Sequence, residues 1–319
     1  MTDAEAQPTQ PQHELSSTDP VSAATDPMIV FAYSCLRREF RSLLSHRPSH
    51  DTIPSPDEIH RTRIAARRLR VALRSFKDLL PGDVAVTLKG ELRWFARALG
   101  KVRDLDVYAE NFRVYLQAIP EEQRQELAAF EQHLQHARGE ARSHLASLFS
   151  DRRYEALLAS FHTFLANAPS AGALRRWRSF RICDGARTYL ETSVKDVLKR
   201  GDKIAPDAPA KRLHRLRIKA KRLRYELEFF AEIYPSLESS AKAAKRLQDV
   251  LGEYQDACTA SHRLHEYLDE HGGEARTALE GLLRSEQHKA ADARRQFAAE
   301  WRRFTKSISL SELRTLLAA

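Results

Sequence analysis

Two short stretches of this 319-residue chain concentrate the side chains that could do chemistry. Between Glu58 and Asp78 there is no acid, yet seven Lys or Arg occur; between Asp207 and Glu226 there are eight. Within them His60, Arg63, Arg67, Arg70 and Arg74 recur at i, i+3 and i+4 spacing, as do His214, Arg217, Lys221 and Arg224. On a helix each set lies along one side. At 1.5 Å per residue such a set is a cationic rail about 20 Å long. Solvated helix faces usually mix both signs, because opposite charges four residues apart support a helix and like charges oppose it. Uncompensated rails therefore suit a linear anion with regularly spaced charges. The competing reading is pairing within the chain, with Asp104, Asp106 or Asp256 as partners.

The two stretches are copies of one another. Residues 60–70 laid over 214–224 give eight identities in eleven, at an offset of 154. Downstream, Ala98-Leu99-Gly100 with Asp104 aligns with Val250-Leu251-Gly252 with Asp256. A period near 150 residues is too long for a solenoid and implies a duplicated domain with pseudo-twofold symmetry.

Helices that position the rails are predicted at 28–46, 57–79, 83–100, 104–118, 121–149 and 152–166. The second set is 173–200, 209–233, 236–251, 254–271, 273–304 and 309–318. Ser55-Pro56-Asp57-Glu58 reads as a capping box with proline at the first helical position, and Pro81-Gly82-Asp83 ends one helix and starts the next. On the helical wheel Ile59, Ala66, Leu69, Leu73, Phe76 and Leu80 form the core stripe of the first rail helix. Leu213, Ala220, Leu223, Leu227 and Phe230 form that of the second. Arg68 and Arg222 point about 100° away from the rails on the same geometry, either widening the basic surface or pairing with acids. Lys219 stands where the first copy has Ala65. Arg93 and Arg97, with Lys245 and Lys242 in the second copy, extend the anion site if the next helix lines the same cavity; otherwise they are surface charges. Asp104 and Asp256, just past the Leu-Gly turn, read as N-caps or as carboxylates holding an arginine. Trp94, Trp177 and Trp301 lie in amphipathic helices and read as core.

Composition sets the frame. Hydrophobic residues make up 42%, enough for a sizeable core, and glycine is scarce, so helix is favoured over a strand-rich fold. The three cysteines are far apart, against a disulfide framework or zinc cluster. Residues 1–27 hold five acids and no Lys or Arg, and read as a disordered acidic leader rather than a signal peptide. The rest carries 52 basic against 38 acidic residues, a net +14. No stretch is apolar for the roughly 18 residues a bilayer span requires. The expectation is a cytoplasmic, all-α chain that makes no membrane contact.

The repeated H-x-x-R-x-x-x-[RK]-R-x-R helix, each copy followed by L-G-x-x-x-D, resembles the CHAD family, the conserved histidine α-helical domain. The likeness covers about residues 28–318, in halves 28–168 and 173–318. It implies an internally duplicated helical bundle around a basic cavity. It also implies binding of inorganic polyphosphate, and association with polyphosphate granules and their proteins. By matching position it implies ligand contacts at His60, Arg63, Arg67, Arg68 and Arg70, and at His214, Arg217, Lys221, Arg222 and Arg224. Arg74, Arg93, Arg97, Lys219 and Lys245 are candidates to extend that site. The triphosphate tunnel domain that often accompanies the family has no match here, so hydrolytic activity is not carried over. No catalytic residue, metal or cofactor is expected.

For His60 and His214 three roles stay open: a hydrogen bond within the fold, donation to phosphate at a helix N-terminus, or metal ligation, for which neighbouring ligands are missing. A nucleic-acid module is the alternative function. It too uses basic helices but adds aromatic platforms or base-reading Asn and Gln, which the stripes lack, so nucleic acid is expected only as a weaker competitor. A phosphoanhydride-cleaving enzyme would need carboxylates holding Mg²⁺ beside the cations, and the acid-free segments do not provide them.

Overall fold

Ser55 starts the first rail helix, α2 (Pro56–Ser75), by a reciprocal cap: its hydroxyl accepts from the Glu58 N–H at 3.2 Å, and the Glu58 carboxylate accepts from the Ser55 N–H at 2.8 Å. Two of the four orphan donors at the helix start are thereby satisfied. The computed structural model describes residues 23–48, 54–166, 169–271 and 276–318. Among these, all regular structure is helical, apart from one isolated bridge between Pro27 and Arg181.

Before α2 comes α1 (Met28–Ser45), and after it, past a short 3-10 turn, the long α3 (Gly82–Gln117). The short α4 (Glu121–Glu126), α5 (Ala128–Phe149), α6 (Arg152–Ala166) and α7 (Ala171–Trp177) follow. Then come α8 (Ile182–Gly201), α9 (Ala210–Phe230), α10 (Glu238–His271), α11 (Arg276–Ser307) and α12 (Leu310–Leu316). Helix α2 packs between α1 and α3, α9 packs between α8 and α10, and α2 meets α9 directly.

Every residue assigned above to the two core stripes is buried, none more than 7% exposed. Their aromatic ends join the elements. Phe31 of α1 stacks on Phe230 of α9 at 5.1 Å between centroids, and Phe76, just past α2, meets Phe229 and Phe230 at 6.3 and 6.5 Å. Burial of such rings, worth roughly 1.5–3 kcal/mol each, locks α2 against α9 and fixes which faces they leave open. The three tryptophans are half-buried against the core.

Several expected boundaries are corrected. Gly100 and Gly252 do not break helices: α3 and α10 run through them, because each helix buries a continuous apolar face before and after the glycine. Asp104 and Asp256 are therefore mid-helix residues, not N-caps. The helix expected at 121–149 breaks at Leu127, which is fully buried, and that expected at 173–200 is interrupted between α7 and α8. The expected disordered leader lies outside the described residues for 1–22, but 23–27 are held in place. Asp26 and Ala24 carbonyls accept the Ile182 and Cys183 N–H groups at 2.9 and 3.0 Å, so the start of α8 binds this segment through backbone pairing.

Candidate functional site

The rails of α2 and α9 face each other, and α3 and α10 flank them. On the α2 side, Arg67, Arg70 and Arg74 are joined by Arg93 and Arg97 from α3, which act electrostatically on Arg70. Burial, and then Arg93, Arg67, Arg97 and Arg74, hold the Arg70 guanidinium below its ordinary pKa. Among the described residues none of these five arginines has a carboxylate partner. The helix spacing accounts for this. Positions 67, 70 and 74 succeed one another by one turn, and 93 and 97 do the same on the antiparallel α3.

Toward the N-terminal ends of α2 and α9 the cations mix with two aspartates. Arg63 pairs with Asp104 at 3.2 Å. Its pKa is pushed down to about 10, by burial first and then by Arg67, with Asp104 opposing and Arg217 adding. Arg217 is also lowered, by burial, with Asp256 opposing. Lys221 is pushed down furthest, to about 6, by burial and then Arg67, Arg217 and Arg63. Burial raises the pKa of the Asp256 carboxyl, against the pull of Arg217 and with the push of Asp104.

His60 is exposed beside this group and held below the ordinary imidazole pKa, by partial burial and then by Arg103, Arg63 and Arg67. His214 makes a 2.7 Å contact through Nδ1 with Gln255 Oε1. Since that oxygen only accepts, Nδ1 carries the proton. Among the described residues no group of three His, Cys, Asp or Glu side chains is arranged to hold a metal.

The remaining candidates are placed elsewhere. Arg68 binds the buried Glu39 through Nε at 2.8 Å and also Glu228 of α9, with its guanidinium over the Tyr225 and Phe229 rings. Arg222 binds the buried Glu226 at 2.7 Å, and Ser75 and Ser193 donate to the same carboxylate. Both arginines thus tie α1, α2, α8 and α9 together on the side away from the rails. Lys219 pairs with Asp196 of α8. Arg224 pairs with Glu228 at 2.7 Å and Gln248 at 3.2 Å, and Lys245 with Asp249 at 2.6 Å. The second copy of the basic stripe is therefore largely neutralised within the chain; His214, Arg217 and Lys221 alone among its candidates face the first.

A cleft of about 240 Å³ opens where the two sides meet, lined by Arg63, His214, Arg217, Asp104 and Asp256 and continued by Tyr108, Asn111, Thr259 and Arg263. The last four escaped the sequence reading, although a signal was there. Asp104, Tyr108 and Asn111, like Asp256, Thr259 and Arg263, follow each other at i+3 and i+4 once α3 and α10 are taken as unbroken.

The family model described as the CHAD domain matches residues 34–265, more than two thirds of the chain. The chain belongs to the CHAD family. The fold is shared with two similar solved structures. The CHAD domain from the plant Ricinus communis is 22% identical, with a TM-score of 0.64 over 93% of this chain and 94% of that one. PptA from Streptomyces chartreusis is 17% identical, with a TM-score of 0.70 over 86% and 99%. Two uncharacterized Mycobacterium tuberculosis proteins, MT2285 and Rv2226, are each 24% identical over 258 residues, 79% of this chain. The chain spans about half the length (49%) of these curated relatives. No helix among the described residues of this CHAD protein is long and apolar enough to cross a membrane.

Proposed function

We propose that this protein binds inorganic polyphosphate without catalysing its breakdown, laying the chain along α2 and α3 and across to α9. In this reading the halves, 28–168 and 173–318, are related by a pseudo-twofold axis and share one basic cavity. The observation that carries it is the run Arg67, Arg70, Arg74, Arg93 and Arg97, without carboxylate partners among the described residues, joined by Arg63, Arg217 and Lys221. Clustered cations hold each other's pKa down, and a bound external anion relieves that repulsion. Family membership supports the same ligand. Arg68, Arg222, Lys219, Arg224 and Lys245 are left out of the contact set, since carboxylates of the chain hold them outside the cleft, whereas Arg63 stays in because its one exposed partner, Asp104, stands in the cleft beside it. Nucleic acid competes more weakly, and the working place of the protein is the cytoplasm, at polyphosphate granules and with their proteins.

Calorimetric titration with polyphosphates of defined length tests this reading, beside single-stranded DNA at equal phosphate concentration. Affinity should fall steeply with added salt as counterions are displaced, and orthophosphate should not accumulate over hours. Equal affinity for DNA, or release of orthophosphate, overturns the reading.

A further inference from the structure

Past Arg63 and Arg217 the lining of the cleft changes character. Arg263 remains cationic, but Asp104 and Asp256 offer carboxylate oxygens, and Asn111, Gln255, Thr259 and Tyr108 are neutral hydrogen-bonding groups. An inorganic polyphosphate chain offers acceptors almost exclusively, so two carboxylates in its path repel it and find nothing to bond. The volume, about eight times the share of one water in the liquid, accommodates a sugar- or nucleoside-sized group.

Tyr108 gives an independent indication. It is only 5% exposed, it lines the cleft, and its hydroxyl has no hydrogen-bond partner among the described residues. A buried hydroxyl left unmatched forfeits its hydrogen bond to water without replacement, and native proteins rarely leave one so. The Arg263 guanidinium lies over its ring at 5.7 Å, which fixes the ring without engaging the hydroxyl. Arg217 Nε is likewise buried without a partner among the described residues, and its guanidinium lies over Gly252 of α10. The opposite wall is wired internally, since His214 donates to Gln255, whose amide donates to Thr259 at 3.3 Å. Arg63 engages one oxygen of Asp104, at 3.2 Å; the groups left to receive a ligand are thus Tyr108, Asp256, Asn111 and the other Asp104 oxygen for donors and acceptors of an organic moiety, and Arg217 with the remaining donors of Arg63 for phosphate.

We propose that this cleft binds the hydroxyl- or amino-bearing part of an organic phosphate, a nucleoside or sugar phosphate, whose phosphates rest on Arg63 and Arg217. The proposal rests on the reading of the rail as a phosphate site and adds to it a means of discriminating what the phosphates are attached to. Asp104 and Asp256 accept from ligand hydroxyl or amino groups and disfavour a bare polyphosphate chain. Tyr108 fixes the ligand by its hydroxyl.

The test compares matched pairs on the full chain: ATP against tripolyphosphate, and ribose 5-phosphate against inorganic phosphate. One charge-assisted hydrogen bond corresponds to about a tenfold preference, so ATP should bind at least about tenfold tighter than tripolyphosphate on that scale. A preference in both pairs assigns recognition to the sugar; a preference for ATP alone assigns it to the base. In the double variant Asp104→Asn/Asp256→Asn the ATP-to-tripolyphosphate ratio should collapse toward one. The ratio cancels the general gain in anion affinity from losing two negative charges. Tyr108→Phe should lower the ratio as well. If Tyr108→Phe unfolds, the aspartate variant decides alone, its side chains being exposed. A ratio of one in the wild type, with tripolyphosphate and long chains still binding, overturns this inference and leaves the polyphosphate reading intact. Binding of ATP alone, without tripolyphosphate or long chains, overturns the polyphosphate reading instead.

Discussion

A lysine confined with three arginines is the side chain whose ionisation responds most to the state of this site. Lys221 has a pKa of about 6 in the fold against about 10.4 when unfolded, so the unfolded chain binds the extra proton between those values. Stability therefore declines as pH falls from about 10 toward 6, and below 6 the full cost is present. A bound polyanion reverses the cause, restoring the charge, so polyphosphate binding near pH 7.5 should take up close to one proton. Titration in two buffers of different ionisation enthalpy measures this uptake, and Lys221→Met should abolish it while raising the melting temperature at neutral pH. A buffer-independent heat in the wild type would contradict the assignment. Two arginines two positions apart separate by the same logic of partners. Arg68→Met leaves the buried Glu39 with Arg38, at 3.1 Å, as its ion-pair partner among the described residues, and should cost about 2–4 kcal/mol of stability with polyphosphate affinity of the folded protein retained. Arg70→Ala should cost affinity and, by relieving repulsion, no stability. Chemical denaturation beside calorimetry distinguishes the two, and the opposite assignment would place Arg68 in the site.

At the scale of elements, the sequence disclosed the rail helices and their buried faces because the 3.6-residue period survives in every turn of α2 and α9. It hid the continuity of α3 and α10. Glycine is a poor helix former by about 1 kcal/mol, so Leu-Gly followed by Asp reads as a stop and cap, whereas packing on both sides of the glycine carries the helix through. That misreading concealed the cleft, whose residues align only on an unbroken helix. The partners of Arg68 and Arg222 were hidden for another reason. Glu39 stands at a position where the second copy has Ser193, and Glu226 at one where the first has Ala72; no single-copy pattern reveals pairs that differ between copies. The element-scale prediction follows from the space around Gly100. Nothing lies within 4 Å of a Cβ built there, so Gly100→Ala should stabilise the protein by about 0.5–1 kcal/mol. Gly201→Ala should destabilise it, because the added methyl runs into the Trp301 ring. Thermal melts of the two variants check both signs, and a Gly100→Ala that melts lower would restore a functional bend at the glycine.

Across the whole molecule the two similar basic stretches are chemically unequal. In the first half Arg70, Arg74, Arg93 and Arg97 stand free of carboxylates among the described residues. In the second, Asp249 occupies the place of Arg97 and neutralises Lys245, while Glu228 neutralises Arg224. An approaching chain consequently meets unpaired cations from the junction of the two rails out over α2 and α3, and paired ones beyond Lys221 on α9 and α10. A short polyphosphate should settle at the junction of Arg63, Arg67, Arg217 and Lys221, where cations from both halves converge. A longer one should run out over α2 and α3 and gain each further contact at high effective concentration. Removing Arg70, Arg74, Arg93 and Arg97 together should then spare tripolyphosphate but erase the long-chain advantage, and flatten the salt dependence by about three units on a log–log plot. Replacing Arg217 and Lys221 should weaken short and long chains alike, whereas Lys245→Ala should change neither, its charge being already matched. Two independent ligands per chain, with each group of substitutions removing one, would divide the site into two separate surfaces and refute the shared junction.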